Sequence, residues 1–348
     1  MDPKTLGLLD GASGGALVVS LDFELAWGML DVADVDGAWK PVGLGARDAI
    51  PRMLDRFAVT GIAATWATVG LLFAESREEA LAFAPRVRPH YRAPLVNPYE
   101  AWFGDDEVDD PLRFAPSLVR LIASYPHQEI ASHSFGHFTA LEDGHDEAAF
   151  EADVKAAVAI AKARGIALRS WVWPRHQVRR EWIAHLAKQG FRAHRGPPQH
   201  PWYAAAKGRQ GGPWTRMGRL QDAYLPLTGD GAHPWSSIET KDGVVNVPES
   251  RFLRGAYRQA LRLEPLRISR ITRAMEQAAA QGTILHVWWH PHNFGTDADA
   301  NFRALDTLLA TYERLRDTAG MTSLSMAGVA DRVAGSRAVL PISSRSSA

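Results

Sequence analysis

Two acidic residues one position apart, Asp22 and Glu24, and two histidines four positions apart, His133 and His137, have the types and spacing that suit metal chemistry. Imidazole nitrogens and carboxylate oxygens are the common ligands of zinc and related divalent ions. In His133-Ser-Phe-Gly-His137 the four-residue step puts both rings on one side of a helical turn, within reach of one ion. Gly136 allows a close backbone approach there. If Ser20-Leu-Asp-Phe-Glu24 is extended, Asp22 and Glu24 share a face, and two like charges so placed call for a cation or a shared proton. Asp31, Asp34 and Asp36 read as plain loop acids. A third group lies in Thr283-Ile-Leu-His286-Val-Trp-Trp-His290-Pro-His292-Asn-Phe-Gly295, where His286, Trp288 and His290 alternate on one face of a continuing strand.

Positioning these groups requires strands that end where they stand. The run from Ala16 to Phe23 is apolar and β-branched after Gly14-Gly15, and reads as a buried strand. Further strands are expected at Ile62 to Val69, Glu129 to His133, Leu168 to Trp173, from Phe191, at Val244 to Val247, Thr283 to Trp289 and Met321 to Ser325. Helices are expected at Ala46 to Val59, Pro116 to Ser124, Glu147 to Arg164, Arg179 to Gln189, Ile268 to Gln281 and Asn301 to Thr318. Pro85 to Pro111 reads as a long insertion, and Gly196 to Pro234 as irregular. Such alternation implies a largely parallel sheet covered by helices. The expected fold is α/β, an irregular (β/α)7-type barrel in one domain with loop insertions. It spans residues 16–335, after an N-terminal extension of residues 1–15 and before a C-terminal tail of residues 336–348. Parallel α/β barrels carry their chemistry at strand C-termini. Reading only those positions collects Asp22, Glu24, His133, His137, Pro174, Arg175, His286, His290 and His292.

Composition narrows the classes. Lys+Arg and Asp+Glu each number 39, so the chain is formally neutral and gives no electrostatic reason to expect nucleic acid or an anionic membrane surface. Hydrophobic residues make up 46% and charged residues 22%, the balance of a folded globular chain. The absence of cysteine removes disulfides, thiolate sites and cysteine nucleophiles, so a metal must sit on nitrogen and oxygen. Met1 to Gly15 has no basic start followed by an apolar run, and no segment reaches 18 uninterrupted apolar residues. A cytoplasmic protein without a transmembrane segment is the expectation.

These residues resemble the NodB-type polysaccharide deacetylases, carbohydrate esterase family 4, in motif order over roughly residues 16 to 332. Ser20 to Glu24 is similar to the first motif, in which one acid is the general base and the other a metal ligand. His133 to His137 matches the second, H-[ST]-x-x-H. Ser170-Trp-Val-Trp-Pro174-Arg175 stands where the third lies, and Leu285 to His290 where the last supplies a catalytic histidine. The sequence departs from the pattern where Phe23 separates the two acids and where Arg175 follows its proline. A spaced acid pair occurs in the branch that resembles peptidoglycan deacetylases and allantoinase-like proteins. The long final segment is similar to a subgroup associated with surface-polysaccharide biosynthesis.

The resemblance implies a metal-dependent hydrolase that removes N-acetyl from an amino sugar of a polysaccharide or glycan precursor. One divalent ion, with zinc the expectation, would sit on Glu24, His133 and His137. Asp22 would serve as base, His290 as the acid for the leaving amine with His286 second, and Arg175 would pair with Asp22. The chain has 12 tryptophans, and sugar faces pack on such rings, so Trp27, Trp173, Trp235, Trp288 and Trp289 join Arg195 as expected substrate contacts. The alternatives are a catalytically impaired sugar-binding homologue and a hydrolase of a different C–N amide bond. More remote is a non-haem iron oxygenase, which shares the two-histidine, one-carboxylate set.

Overall fold

The structure, a computed structural model, describes residues 14–338 apart from 93–95, 102, 199, 204–212, 223, 225–226 and 257–262. The first strand, β1 (Ala16–Phe23), is buried along its whole length. It is followed by α1 (Lys40–Thr60), β2 (Ala64–Thr68), α2 (Arg77–Phe83), α3 (Pro116–Ser124), β3 (Gln128–Ser132) and α4 (Glu147–Ala163). Next come the short β4 (Ser170–Val172), α5 (Ile183–Lys188), β5 (Ala193–Arg195), α6 (Pro213–Asp222), β6 (Thr240–Lys241), β7 (Val244–Asn246) and β8 (Arg251–Phe252). The chain then forms α7 (Glu264–Gln281), β9 (Ile284–Trp289), α8 (Ala298–Ala319), β10 (Thr322–Leu324) and α9 (Met326–Ala338).

The strands form one sheet in the order β6-β7-β5-β4-β3-β2-β1-β9-β8, all parallel except for the β6–β7 pair. The sheet curls into a half-barrel, the α/β architecture expected. Residues 244–252 draw its ends together: they pair with β5 at their start and with β9 at their finish. Between those pairings the Ser250 N–H donates to the His286 carbonyl at 2.8 Å. Strand β10 lies along the first residues of β1, on the edge that β2 takes further along.

Alternation along β1 sorts the core into two parts. Leu17, Val19, Leu21 and Phe23 face outward into the large core under the helices, with Trp66, Phe57, Trp289 and Leu305. Ala16 and Val18 face inward with Val172, Ala193, Val245 and Ile284, where Met326, Val329 and Ala330 of α9 fill the floor of the half-barrel. Inward positions further along β1 are Ser20 and Asp22, so the interior turns from apolar to polar towards the strand C-termini.

Local chemistry explains the element ends. Gly61, Gly282 and Gly320 close α1, α7 and α8 in the left-handed conformation that glycine adopts without steric cost. Asp146 caps α4 by accepting from the Ala149 N–H at 2.8 Å. Five elements differ from expectation, among them the two-residue strands β6 and β8, which were not anticipated. α6 lies within the stretch read as irregular, α2 was not anticipated, and α9 runs through Ala338, three residues into the segment read as a tail. The remainder of that tail and most of the N-terminal extension lie outside the described residues. Among the described residues no helix is long and apolar enough to cross a membrane.

Candidate metal centre

Asp22 and Glu24 follow one another on the inner face at the end of β1. Glu24 precedes a tight turn, Leu25–Gly28, whose glycine is needed sterically: a Cβ on Gly28 would lie 2.1–2.4 Å from the Glu24 carboxylate. The two histidines come from the loop after β3, which is not the helical turn expected from their spacing. Ser134 and His137 instead take left-handed backbone conformations, with φ of 64° and 56°. Such strain in non-glycine residues persists only where the surroundings impose it. Here Asp153 of α4 accepts from the Phe135 and Gly136 N–H groups at 2.8 and 3.0 Å, and Ser134 Oγ accepts from the Phe138 N–H at 2.6 Å. Gly136 has no room for a side chain, since a Cβ would sit 2.6 Å from Tyr99 Oη. Burial pushes the Asp153 carboxyl up to about 7, against the hydrogen bonds from the Phe135 and Gly136 N–H groups and from Tyr99 that favour its charge.

The loop brings His133 and His137 together on Glu24. Glu24 Oε2 is 3.4 Å from His133 Nε2 and 3.2 Å from His137 Nε2. The other ring nitrogen of His133 is 3.0 Å from the Val172 carbonyl oxygen. A carbonyl can only accept, so Nδ1 carries the hydrogen and, in the neutral ring, Nε2 turns a lone pair towards the carboxylate. Two acceptors facing each other at this distance are unfavourable unless a cation or a proton lies between them. Ligand bonds of about 2.0–2.1 Å in a tetrahedral set place donors about 3.3 Å apart, which these separations match. The residues therefore fit a divalent ion.

Burial opposes charge on Glu24, but His290, His133 and His137 outweigh it and hold the carboxyl well below its usual range. Burial also lowers the His137 pKa, against the pull of Glu24. A carboxylate and a neutral imidazole are the forms that ligate metal. Glu24 Oε1 looks the other way, 3.5 Å from His290 Nε2, and Glu24, His290 and His292 make a second convergent group.

Asp22 is held differently. Arg195, at the end of β5, donates to both its oxygens at 2.7 Å and to Ser20 Oγ at 2.9 Å. Burial disfavours the charged carboxylate, but Arg195, with His133 and His290, holds it far below the usual range. The Arg195 guanidinium also lies 4.4 Å over the Trp288 ring. Thus Arg195, expected to touch substrate, orients the Asp22 carboxylate. Arg175, expected to do so, is ion-paired with Asp31 and sits in a left-handed turn (φ 53°). The difference follows from direction: β5 ends facing the barrel axis, whereas the chain turns sharply just after Pro174.

His290 lies at the cavity, its Nε2 3.9 Å from Asp22 Oδ2. His286 is fully buried below it. Its Nε2 is 2.8 Å from Ser20 Oγ and its Nδ1 3.3 Å from the Val247 carbonyl, so it supports the Ser20–Arg195–Asp22 chain from beneath. Burial, reinforced by Arg195, pushes its pKa down to about 3, so it is neutral near pH 7.

Among the five expected tryptophans, Trp288 lines the cavity. Trp173 stacks on Phe150 in the outer core, and Trp289 packs between Phe57 and Phe294 there. Trp27 is buried against Phe103 and donates to the Arg113 carbonyl at 2.9 Å. Trp235 lies under Arg332 in the floor cluster. Trp173, Trp289 and Trp235 are packing residues in this arrangement, whereas Trp27 also borders a small pocket beside His137 and Arg175.

Of the cavity residues not assigned a role from sequence, three lie close to His290 and Trp288. His292 stacks on His290 with centroids 4.6 Å apart. His176, left-handed at φ 55°, packs on Trp288 and lies 3.5 Å from Glu249 Oε2. Burial pushes the Glu249 carboxyl up to about 8, against the attraction of Arg195. His176 and Glu249 occupy irregular segments, where periodicity gives no signal. His292 was legible as one of a dense histidine group.

The cavity that joins these residues is about 340 Å3, at the small end of ordinary ligand sites. No protein-family model matches the sequence. No curated protein matches it either. Solved structures do share the fold. A protein assigned as a polysaccharide deacetylase from Mycobacterium smegmatis is 12% identical over 97% of this chain and 96% of its own, with a TM-score of 0.59. Another from Pseudomonas aeruginosa PAO1 is 13% identical over 92% and 91%, with a TM-score of 0.56. Puue allantoinase is 13% identical over 92% and 90%, with a TM-score of 0.50. At these identities the likeness is one of fold, a deacetylase-type deformed barrel running nearly the length of the chain.

Proposed function

We propose that the chain is a metal-dependent hydrolase that removes the acetyl group from the nitrogen of an amino sugar. One observation carries the proposal: Glu24, His133 and His137 converge at the spacing of metal ligands, with a separately held carboxylate, Asp22, beside them. The deacetylase fold supports it, because it is a parallel α/β barrel with these residues at its strand ends. The same architecture speaks against an iron oxygenase, whose ligand set ordinarily sits on an antiparallel sandwich.

A divalent ion held by Glu24, His133 and His137, with zinc the expected metal, would supply Lewis acidity for the amide carbonyl and lower the pKa of its water. Asp22 stays ionised through its Arg195 pair, and its task is to accept the proton of the attacking water. A carboxylate so stabilised is a weak base, so it can act only on water that has already been acidified. His290, on the opposite side of Glu24, donates a proton to the departing amine. His286 and Ser20 keep Arg195, and through it Asp22, in place. Trp288 gives a sugar ring an apolar face.

Puue allantoinase shares the fold, which favours hydrolysis of another C–N amide bond as the second reading. Acetate release from a panel of N-acetylated amino sugars, run beside allantoin and with metal content measured, tests both. Turnover of the sugars alone supports the first reading, and turnover of allantoin alone the second. Tight sugar binding by metal-loaded protein without any acetate would leave a binding protein.

A further inference from the structure

The cavity has a second half that deacetylation chemistry does not require. Beyond Trp288 and Phe252, whose rings are 4.5 Å apart, its wall carries Arg219, Arg251, Arg254, Arg267 and Arg270. Arg267 and Arg270 lie three residues apart on α7 and so share a helix face. Asp222 and Glu264 are the carboxylates that pair with this group. Asp222 accepts from Arg270 at 2.8 Å and from Arg251 at 3.4 Å, but is also engaged by Tyr203 Oη at 2.7 Å and by the Thr228 N–H at 2.8 Å. Glu264 pairs with Arg267 from the Nε and Nη2 side. Asp230 adds a more distant attraction on Arg251, and Glu249 is largely neutral near pH 7 through burial. Among the described residues, five guanidinium groups thus line this wall against three carboxylates, Asp222, Glu264 and Asp230.

Buried charge of one sign is costly without a counter-ion. Arg267 shows the deficit at an atom: the residue is 2% exposed and its Nη1 has no hydrogen-bond partner among the described residues. Nε of Arg254, on the same wall, also has none among them. Guanidinium groups present planar forks that suit phosphoryl oxygens. An uncharged sugar would leave this wall uncompensated.

Resting on the deacylase reading, we propose that this half of the cavity binds a phosphoryl group of the substrate, which is therefore a phosphorylated or diphosphate-linked N-acetyl amino sugar. Its ring lies against Trp288 and Phe252, the amide reaches the Glu24 end, and the phosphoryl group reaches the arginines.

Calorimetric titration with inorganic diphosphate tests the site without turnover. The folded protein should bind it, and the His133→Ala/His137→Ala variant should bind it equally well, which excludes capture by a metal. Arg254→Gln should weaken binding about 10-fold, the loss of one charge-assisted contact. Arg254→Gln/Arg267→Gln should weaken it further, with thermal melting checking that each variant folds. No binding to the wild type, binding lost with the histidines, or binding indifferent to Arg254→Gln would each overturn the proposal. In the activity arm, N-acetylglucosamine 1-phosphate and uridine diphosphate N-acetylglucosamine are compared with free N-acetylglucosamine. A kcat/KM at least about 10-fold higher for either phosphorylated substrate is expected, and whichever leads identifies the source of the phosphoryl group. Equal rates would overturn the phosphoryl site and leave deacetylation standing. Intact diphosphate binding with no acetate from any sugar would instead refute deacetylation and leave the anion site.

Discussion

Replacing Arg195 by methionine removes both hydrogen bonds to Asp22, each 2.7 Å long, and leaves a carboxylate in a site where burial alone disfavours its charge. Breaking one side of a buried ion pair costs about 3–5 kcal/mol, and the fully enclosed pair here belongs in that range. The pH dependence has a definite sign. In the wild type the folded pKa of Asp22 is depressed, so its stabilisation is complete above the unfolded value of about 3.9 and lost as pH falls through the folded one. In the variant, burial raises the folded pKa, and the penalty is full at neutral pH but relieved as Asp22 takes up a proton. The stability gap between the proteins should therefore be widest near pH 7.5 and narrower near pH 5. Urea unfolding followed by tryptophan fluorescence, with chelator present so that no metal compensates the free carboxylate, measures the gap. Adding Asp22→Asn to Arg195→Met should recover part of the loss, because no buried charge remains. A gap below about 1 kcal/mol at pH 7.5, or one that does not change with pH, would refute the assignment of Arg195 as the partner that keeps Asp22 ionised.

Other consequences are more direct. His133→Ala or His137→Ala should abolish metal retention and acetate release together, while Asp22→Asn keeps the metal and loses turnover; metal analysis of the purified variants separates these outcomes. The wild type should hold one ion per chain, and a content near two would mean that His290 and His292 also bind through the free oxygen of Glu24. Gly28→Ala forces the Glu24 carboxylate aside and should weaken metal affinity about 10–100-fold, as loss of a ligand's support does, read by competition with a chromogenic chelator. If Glu249 meets substrate as a neutral acid, Glu249→Gln should retain most of the activity and remove a basic limb near pH 8 from the rate profile. An unchanged limb would point to another group.

Most of the chain's architecture was legible because β1, β2, β3 and β9 are apolar runs that end in chemically distinctive residues. Reading strand ends alone found Asp22, Glu24, His133, His137 and His290, all of which line the cavity. Spacing failed where the backbone is left-handed: His133 and His137 meet through a strained loop clamped by Asp153, and sequence periodicity says nothing of such a loop. The place of Arg175 at a strand end, in the stretch resembling the third motif, likewise favoured it as the partner of Asp22, although β5 brings Arg195 to it from 173 residues away. Tryptophan could not be sorted from sequence, because adjacent strand positions face opposite ways and both faces of a barrel strand are buried. The arginine wall was hidden for a related reason. Its members come from α6, α7, β8 and the loop after β8, and they acquire a common meaning only when those elements are folded against one another.

The arrangement of β1 has a consequence for biosynthesis. The strand that bears Asp22 leaves the ribosome well before its flanks are completed by β9 and β10, which are translated some 260–300 residues later. Until then the side of β1 that β9 will occupy is an open edge, although β2 already pairs with Val19 to Phe23 on the other. Synthesis as far as β3 and the loop after it supplies Glu24, His133 and His137, whereas His290 follows only after β9. The metal ligands should therefore come together in the nascent chain before His290 joins them.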